Sequence, residues 1–133
     1  MDRMPIWQVA IRRLEIPILR FLVLYVGGAG FIGSTFVAQS IERGDNVIVL
    51  DALTYAGFRE NLDWIPNSDG KLHLVVGDIC NTPLVTGLLE EHEIDAVVSF
   101  AAESHVDNSI DRPAIFIETN VMGTYSMLEA GRQ

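Results

Sequence analysis

Glycines spaced three apart in Gly27-Gly28-Ala29-Gly30-Phe31-Ile32-Gly33 follow the apolar run Phe21 to Val26 and precede a stretch with helical periodicity. Such a turn lets the chain leave a strand sharply, and without Cβ atoms its N–H groups can approach a pyrophosphate. Gly33 falls on the first helical turn, where close packing against the strand requires a missing side chain. Asp51, which closes the next apolar run, completes the pattern. A glycine pattern alone is a weak signal. Strand, glycine turn, amphipathic helix, second strand and acid, in that order, specify a dinucleotide site.

The rest of the chain continues the same alternation. Apolar runs at 21–26, 46–50, 72–76 and 96–100 read as strands, short and rich in Val, Ile and Leu as strands buried on both faces are. Helical patterns fall at 32–43, 83–92 and from Pro113 to about Arg132. The first should turn Phe36, Val37, Ser40 and Ile41 inward and end at Gly44; the second should be capped by Asn81 or Thr82. The fold class is therefore α/β, a Rossmann-type parallel sheet with helices on both faces, incomplete at about four strands. Residues 21–133 are expected to form one truncated dinucleotide-binding domain with no substrate domain, preceded by a loosely ordered extension over 1–20.

Composition narrows the partners. The 133 residues are 49% hydrophobic, enough for one real core, and carry a formal charge of -9. That balance argues against nucleic acid or an anionic membrane, and leaves bound phosphates to backbone N–H groups. Residues 1–20 are the exception at +2, but Pro5 and Pro17 confine any helix there. The run Ile18 to Val26, broken by Arg20, is far short of a membrane span. Cys80 is the sole cysteine, so neither an internal disulfide nor a Cys-based zinc site can form; a reducing, cytoplasmic setting is expected, no metal is called for, and Cys80 reads as a small buried hydrophobe.

In a parallel sheet of this kind ligands lie beyond the carboxyl ends of the strands. Those ends carry the glycine turn, Asp51, Gly77-Asp78-Ile79 and Ala101-Ala102-Glu103-Ser104-His105. Asp51 is placed to accept both hydroxyls of an adenosine ribose, and its charge would repel a 2′-phosphate, which predicts NAD over NADP. Asp78 either bonds the adenine amino group, with Ile79 against the ring, or caps the following helix. Ala101 and Ala102 are small enough to let backbone pass close beneath a cofactor.

Five segments together make the chain from about Phe21 to Gln133 resemble the amino-terminal portion of the dTDP-glucose 4,6-dehydratases, in the extended short-chain dehydrogenase/reductase family. They are Gly27 to Ser34, Asp51-Ala52-Leu53-Thr54-Tyr55-Ala56-Gly57, Gly77-Asp78-Ile79-Cys80, Ala101-Ala102-Glu103-Ser104-His105-Val106-Asp107 and Glu118-Thr119-Asn120-Val121-Met122-Gly123-Thr124. The resemblance implies that Gly27, Gly30, Phe31, Ile32 and Gly33 surround the pyrophosphate of NAD, that Asp51, Ala52, Leu53 and Thr54 hold the adenosine ribose, and that Asp78 and Ile79 flank the adenine. It further implies that Phe100, Ala101, Ala102, Glu103 and Ser104 run under the nicotinamide half, with Thr119 nearby, that Ser104 touches the hexose, and that Asn120 shapes the site from behind. The implied substrate is a sugar nucleotide, dTDP-glucose, converted to the 4-keto-6-deoxy sugar by an enzyme that is a homodimer.

No catalytic residue is expected within these 133 positions. The Tyr-x-x-x-Lys pair and the Asp-Glu pair of the family belong past residue 133, and Tyr55 and Tyr125 cannot replace the tyrosine because Lys71, the only lysine, is not four residues after either. Val26 stands where a threonine is usual and Asn108 where an arginine is common; the first is expected to loosen the glycine loop. A stand-alone NAD-binding module and a fragment of a nucleotide-sugar epimerase remain alternatives at this level.

Overall fold

The computed structural model describes residues 20–67, 69 and 71–133, so the extension expected over 1–20 lies, apart from Arg20, outside the described residues. Among the described residues, four strands form one sheet: β1 (Leu22–Val26), β2 (Asn46–Asp51), β3 (Leu72–Val76) and β4 (Ala96–Ser99). Their order is β3-β2-β1-β4 and every pairing is parallel. The chain moves outward from β1 to β3, then crosses to the other side of β1, which places the reversal of strand order between β1 and β4. This is the expected Rossmann-type α/β arrangement.

Alternate residues of the central strands feed two cores. Val23, Tyr25, Val47 and Val49 pack under α1 (Phe31–Arg43) and α2 (Glu60–Asp63), with Val37, Leu62 and Ile65. Leu24, Val26, Ile48 and Leu50 face the opposite way, toward Val85 and Leu88 of α3 (Thr82–His92) and Ala130 of the last helix. Burial of each such aliphatic side chain contributes about 1.5–3 kcal/mol, so β1 and β2 are the backbone of the domain. β3 and β4 lie at the sheet edges; β3 is half-buried and β4 mostly exposed, unlike the expectation of strands covered on both faces.

Local chemistry explains the helix ends. Gly44 closes α1 in the left-handed conformation at φ 93°, and its N–H reaches the last turn. The Asn81 side chain accepts the Leu84 N–H at 3.2 Å and caps α3, so the cap is Asn81 and Asp78 is not used for it. Val26 is fully buried and packs in the second core. The glycine loop starts from a backbone bond, the Gly27 N–H donating to the Leu50 carbonyl at 2.8 Å.

Three expectations are corrected. Phe36 is 45% exposed, although its ring still meets Phe100 at 5.0 Å; it sits at the margin of the inner face, where Val37 and Ser40 are fully buried. Cys80 is exposed, because it follows the strand end and lies on the cleft rim. The last helix is not uniform: α5 (Pro113–Phe116) passes into a π-helical stretch, Ile117–Gly123, before α6 (Thr124–Arg132). Two short helices, α2 and α4 (Val106–Asp111), were not foreseen.

A pair of glycines separates crowding from propensity. A Cβ on Gly33 would fall against the Gly27 carbonyl oxygen, whereas one on Gly87, in α3, meets nothing within 4 Å. Gly33→Ala should therefore destabilise the domain by about 1–3 kcal/mol, and Gly87→Ala should stabilise it by up to about 1 kcal/mol. Urea denaturation of both variants checks the opposite signs.

Candidate functional site

Beyond the carboxyl ends of the strands lies a cleft of about 450 Å³. The first wall is the glycine turn. Gly27 has φ 72°, and a Cβ there would stand 2.6 Å from the Ala101 backbone nitrogen, so the turn presses directly on the segment after β4. Gly30 is the N-cap of α1, and no side chain caps that helix among the described residues. Its first-turn N–H groups, which no intrahelical carbonyl can satisfy, are thus left for a ligand at this end.

Asp51 forms the second wall and is only 8% exposed. One carboxylate oxygen accepts the Ala29 N–H at 2.9 Å and the other the Leu53 N–H at 2.9 Å. Leu53 takes a left-handed φ of 51°, and the loop folds back so closely that a Cβ on Gly57 would lie 2.5 Å from the carboxylate. A carboxylate accepts about four hydrogen bonds, so two backbone donors leave lone pairs that can face the cleft.

Asp78 uses one oxygen to accept the Cys80 N–H at 2.7 Å, which sets the turn out of β3. Cys80 donates its thiol to the Glu118 carbonyl at 3.3 Å. Although Cys80 is exposed as a residue, partial desolvation of its thiol, followed by the neighbouring Asp78 carboxylate, pushes the thiol pKa up.

The far wall is Phe100 to Glu103. Glu103 is 8% exposed and accepts the Tyr55 hydroxyl at 2.9 Å. Asn120, in the π-helical stretch, grips the Glu103 backbone from both sides: its amide oxygen accepts the Glu103 N–H at 2.8 Å and its amide nitrogen donates to the Glu103 carbonyl at 2.9 Å. A Cβ on Gly123 would overlap the Ile79 side chain, so glycine lets this stretch close on the cleft.

The structure brings most of the expected residues together. Gly27, Gly30, Asp51, Ala52, Thr54, Asp78, Ile79, Phe100, Ala101, Ala102, Glu103 and Thr119 all line the cleft. Phe31, Ile32, Gly33, Leu53 and Ser104 do not. Phe31 and Ile32 are 90% and 60% exposed and contribute backbone N–H groups to the first turn of α1. Leu53 packs on the first core, and Ser104 is exposed. Sequence reasoning gave no site role to Leu50, Ala56, Gly57, Gly77, Cys80, Ile115, Glu118 and Met122, which also line the cleft. All but Leu50 and Ile115 fall within the five segments that carry the resemblance, which is the signal that could have found them.

A second groove, of about 530 Å³, runs between α1 and the segment around Trp64 and Lys71. It has neither strand ends nor a glycine turn and is not the candidate site. Among the described residues no three His, Cys, Asp or Glu side chains converge as a metal site, and no helix is long and apolar enough to cross a membrane.

Comparison with known proteins agrees with this architecture. A family model described as GDP-mannose 4,6 dehydratase matches residues 24–133. The dTDP-glucose 4,6-dehydratase of Xanthomonas campestris pv. campestris is 55% identical over 111 residues, 82% of this chain and 31% of that protein. The chain thus spans about a third of the length of such curated relatives. Among solved structures, the dTDP-glucose 4,6-dehydratase of Bacillus anthracis in complex with NAD superposes with a TM-score of 0.70 at 35% identity, covering 82% of this chain and 33% of that one. The UDP-glucose-4-epimerase of Stenotrophomonas maltophila, with NAD and formylated UDP-arabinopyranose, gives 0.78 at 32%, covering 85% and 34%. Backbone shape is therefore common to dehydratases and epimerases.

Asn120→Ala should cost about 1–3 kcal/mol, since both polar groups of the Glu103 backbone lose their partner. Asn120→Asp keeps the acceptor but sets an anionic oxygen against the Glu103 carbonyl in place of the donor, so it should cost at least as much. Chemical denaturation of the two variants checks the order.

Proposed function

The chain belongs to the family described as GDP-mannose 4,6 dehydratase, and we propose that it is the NAD-binding part of a dTDP-glucose 4,6-dehydratase. The observation that carries this is the Asp51 carboxylate, buried at the end of β2 with both oxygens on backbone donors and facing a cleft floored by glycines. A glycine turn pressed so closely on the Ala101 backbone that a Cβ on Gly27 has no room, with a fixed acid beside it, fits a dinucleotide whose ribose carries free hydroxyls.

In this reading residues 21–133 are the cofactor domain. Gly27 and Gly30, with the backbone of Phe31, Ile32 and Gly33, hold the pyrophosphate; Asp51, Ala52, Leu53 and Thr54 take the adenosine ribose. Asp78 and Ile79 flank the adenine, and Phe100 to Ser104 with Thr119 support the nicotinamide half. Ser104 reaches the hexose of the sugar nucleotide. NAD, when bound, supplies a hydride acceptor that becomes the donor later in the cycle. The residues here bind, orient and shield it, and the acid–base groups of the reaction belong to the rest of the longer protein. A homodimer in the cytoplasm, with no nucleic-acid or membrane partner, completes the proposal.

A curated dehydratase relative at 55% identity supports dehydration over epimerisation, a distinction that backbone shape does not make. Calorimetric titration of the chain should show NAD+ binding at least about tenfold tighter than NADP+, because Asp51 would repel the 2′-phosphate. Equal affinity for the two, or no heat with either, would contradict the proposal.

A further inference from the structure

Tyr55 stands on the loop after β2 and Glu103 on the segment after β4, and these strands lie on opposite sides of β1. Their side chains nevertheless meet across 48 residues of sequence, the phenol donating to the carboxylate at 2.9 Å. The two loops are the two banks of one cleft, Ala52 and Thr54 on one side, Ala101 and Ala102 on the other. This single side-chain bond therefore joins the banks on either side of the glycine turn.

One end of the bond is rigid and the other is not. Glu103 is buried, and Asn120 fixes its backbone in both directions. Tyr55 is 46% exposed, and its ring meets His105 edge-on at 6.3 Å. Little packing pins it, so the hydrogen bond decides where it rests. Partial burial, then the bond to Glu103, raises the phenol pKa, against weaker opposing effects of Asn108 and the His105 backbone. The hydroxyl accordingly keeps its proton as a donor. Below it the loop is tied to the glycine turn by the Phe58 N–H to the Ala29 carbonyl, at 3.1 Å.

We propose that the Tyr55–Glu103 bond is a strap between the banks of the cleft, and that Tyr55 is a positioning residue setting how fast a dinucleotide leaves. The inference rests on the dinucleotide reading of the cleft above. A ligand that reaches from Asp51 to Ala102 spans both banks, so it leaves fastest when they can separate. Opening requires one hydrogen bond to break at its exposed end, while the buried Glu103 stays in place to receive it again.

The test uses fluorescent NADH bound to the chain and chased with excess NAD+. Tyr55→Phe should release NADH about tenfold faster, the factor that one hydrogen bond to a charged acceptor can supply. Glu103→Gln, which keeps an acceptor for the phenol, should fall between. Hydrogen exchange of the nucleotide-free chain reads the strap without ligand: amides of 52–57 should exchange faster in Tyr55→Phe while those of β1 do not. Equal release and equal exchange in the wild type and Tyr55→Phe would overturn the strap. Faster exchange with NADH bound by neither form would overturn the dinucleotide reading, and with it any role in release, while leaving the tie between the banks.

Discussion

Asp51 accepts the Ala29 N–H with one oxygen and the Leu53 N–H with the other, so the glycine turn after β1 and the loop after β2 are fixed by the same carboxylate. A charge buried to this degree needs such donors, and here they come from backbone that must also be shaped. Leu53 adopts a left-handed conformation that costs a non-glycine residue about 1–2 kcal/mol. Its N–H bond to Asp51 and its packing on the first core offset that cost. Gly57 is glycine because the returning loop touches the same carboxylate. In the proposed reading recognition and architecture share one side chain, and replacing Asp51 would disturb the loops as well as the proposed ribose contact.

The sheet turns this local arrangement into a site. With β1 and β2 buried at its centre and strand order reversing at β1, the loops after β2 and β4 diverge and leave space above the glycine turn. A chain with a net charge of -9 offers few cations for phosphate. Backbone N–H groups at the start of α1 are the available donors, and small residues at 27, 30, 101 and 102 give access to them. Asn120 then holds the far bank from behind.

Much of this could be read from the residues. Strand cores rich in Val, Ile and Leu, Gly44 as one cap and Asn81 or Thr82 as another, and the glycine turn are local signals, and the four strands and the helices at 32–43 and 83–92 are present within a residue or so of their expected ends. The π-helical stretch could not be read, because its cause is tertiary: Asn120 must meet Glu103 while Gly123 passes Ile79. Cys80 and Phe36 were misplaced for a related reason. Composition favours burial of both, but exposure depends on where a strand ends and how far a helix overhangs the sheet. Asp51 was recognised for a ligand contact, yet its backbone bonds follow from a loop path that spacing does not encode.

Backbone amide NMR of the labelled chain, titrated with NAD+, tests residue by residue whether the cleft organised by Asp51 is the dinucleotide site. Shifts are expected to concentrate at 27–33, 51–57, 78–80 and 100–104 and at Thr119, with the groove around Trp64 and Lys71 silent. Shifts centred on that groove, or none at the glycine turn at saturating NAD+, would contradict it.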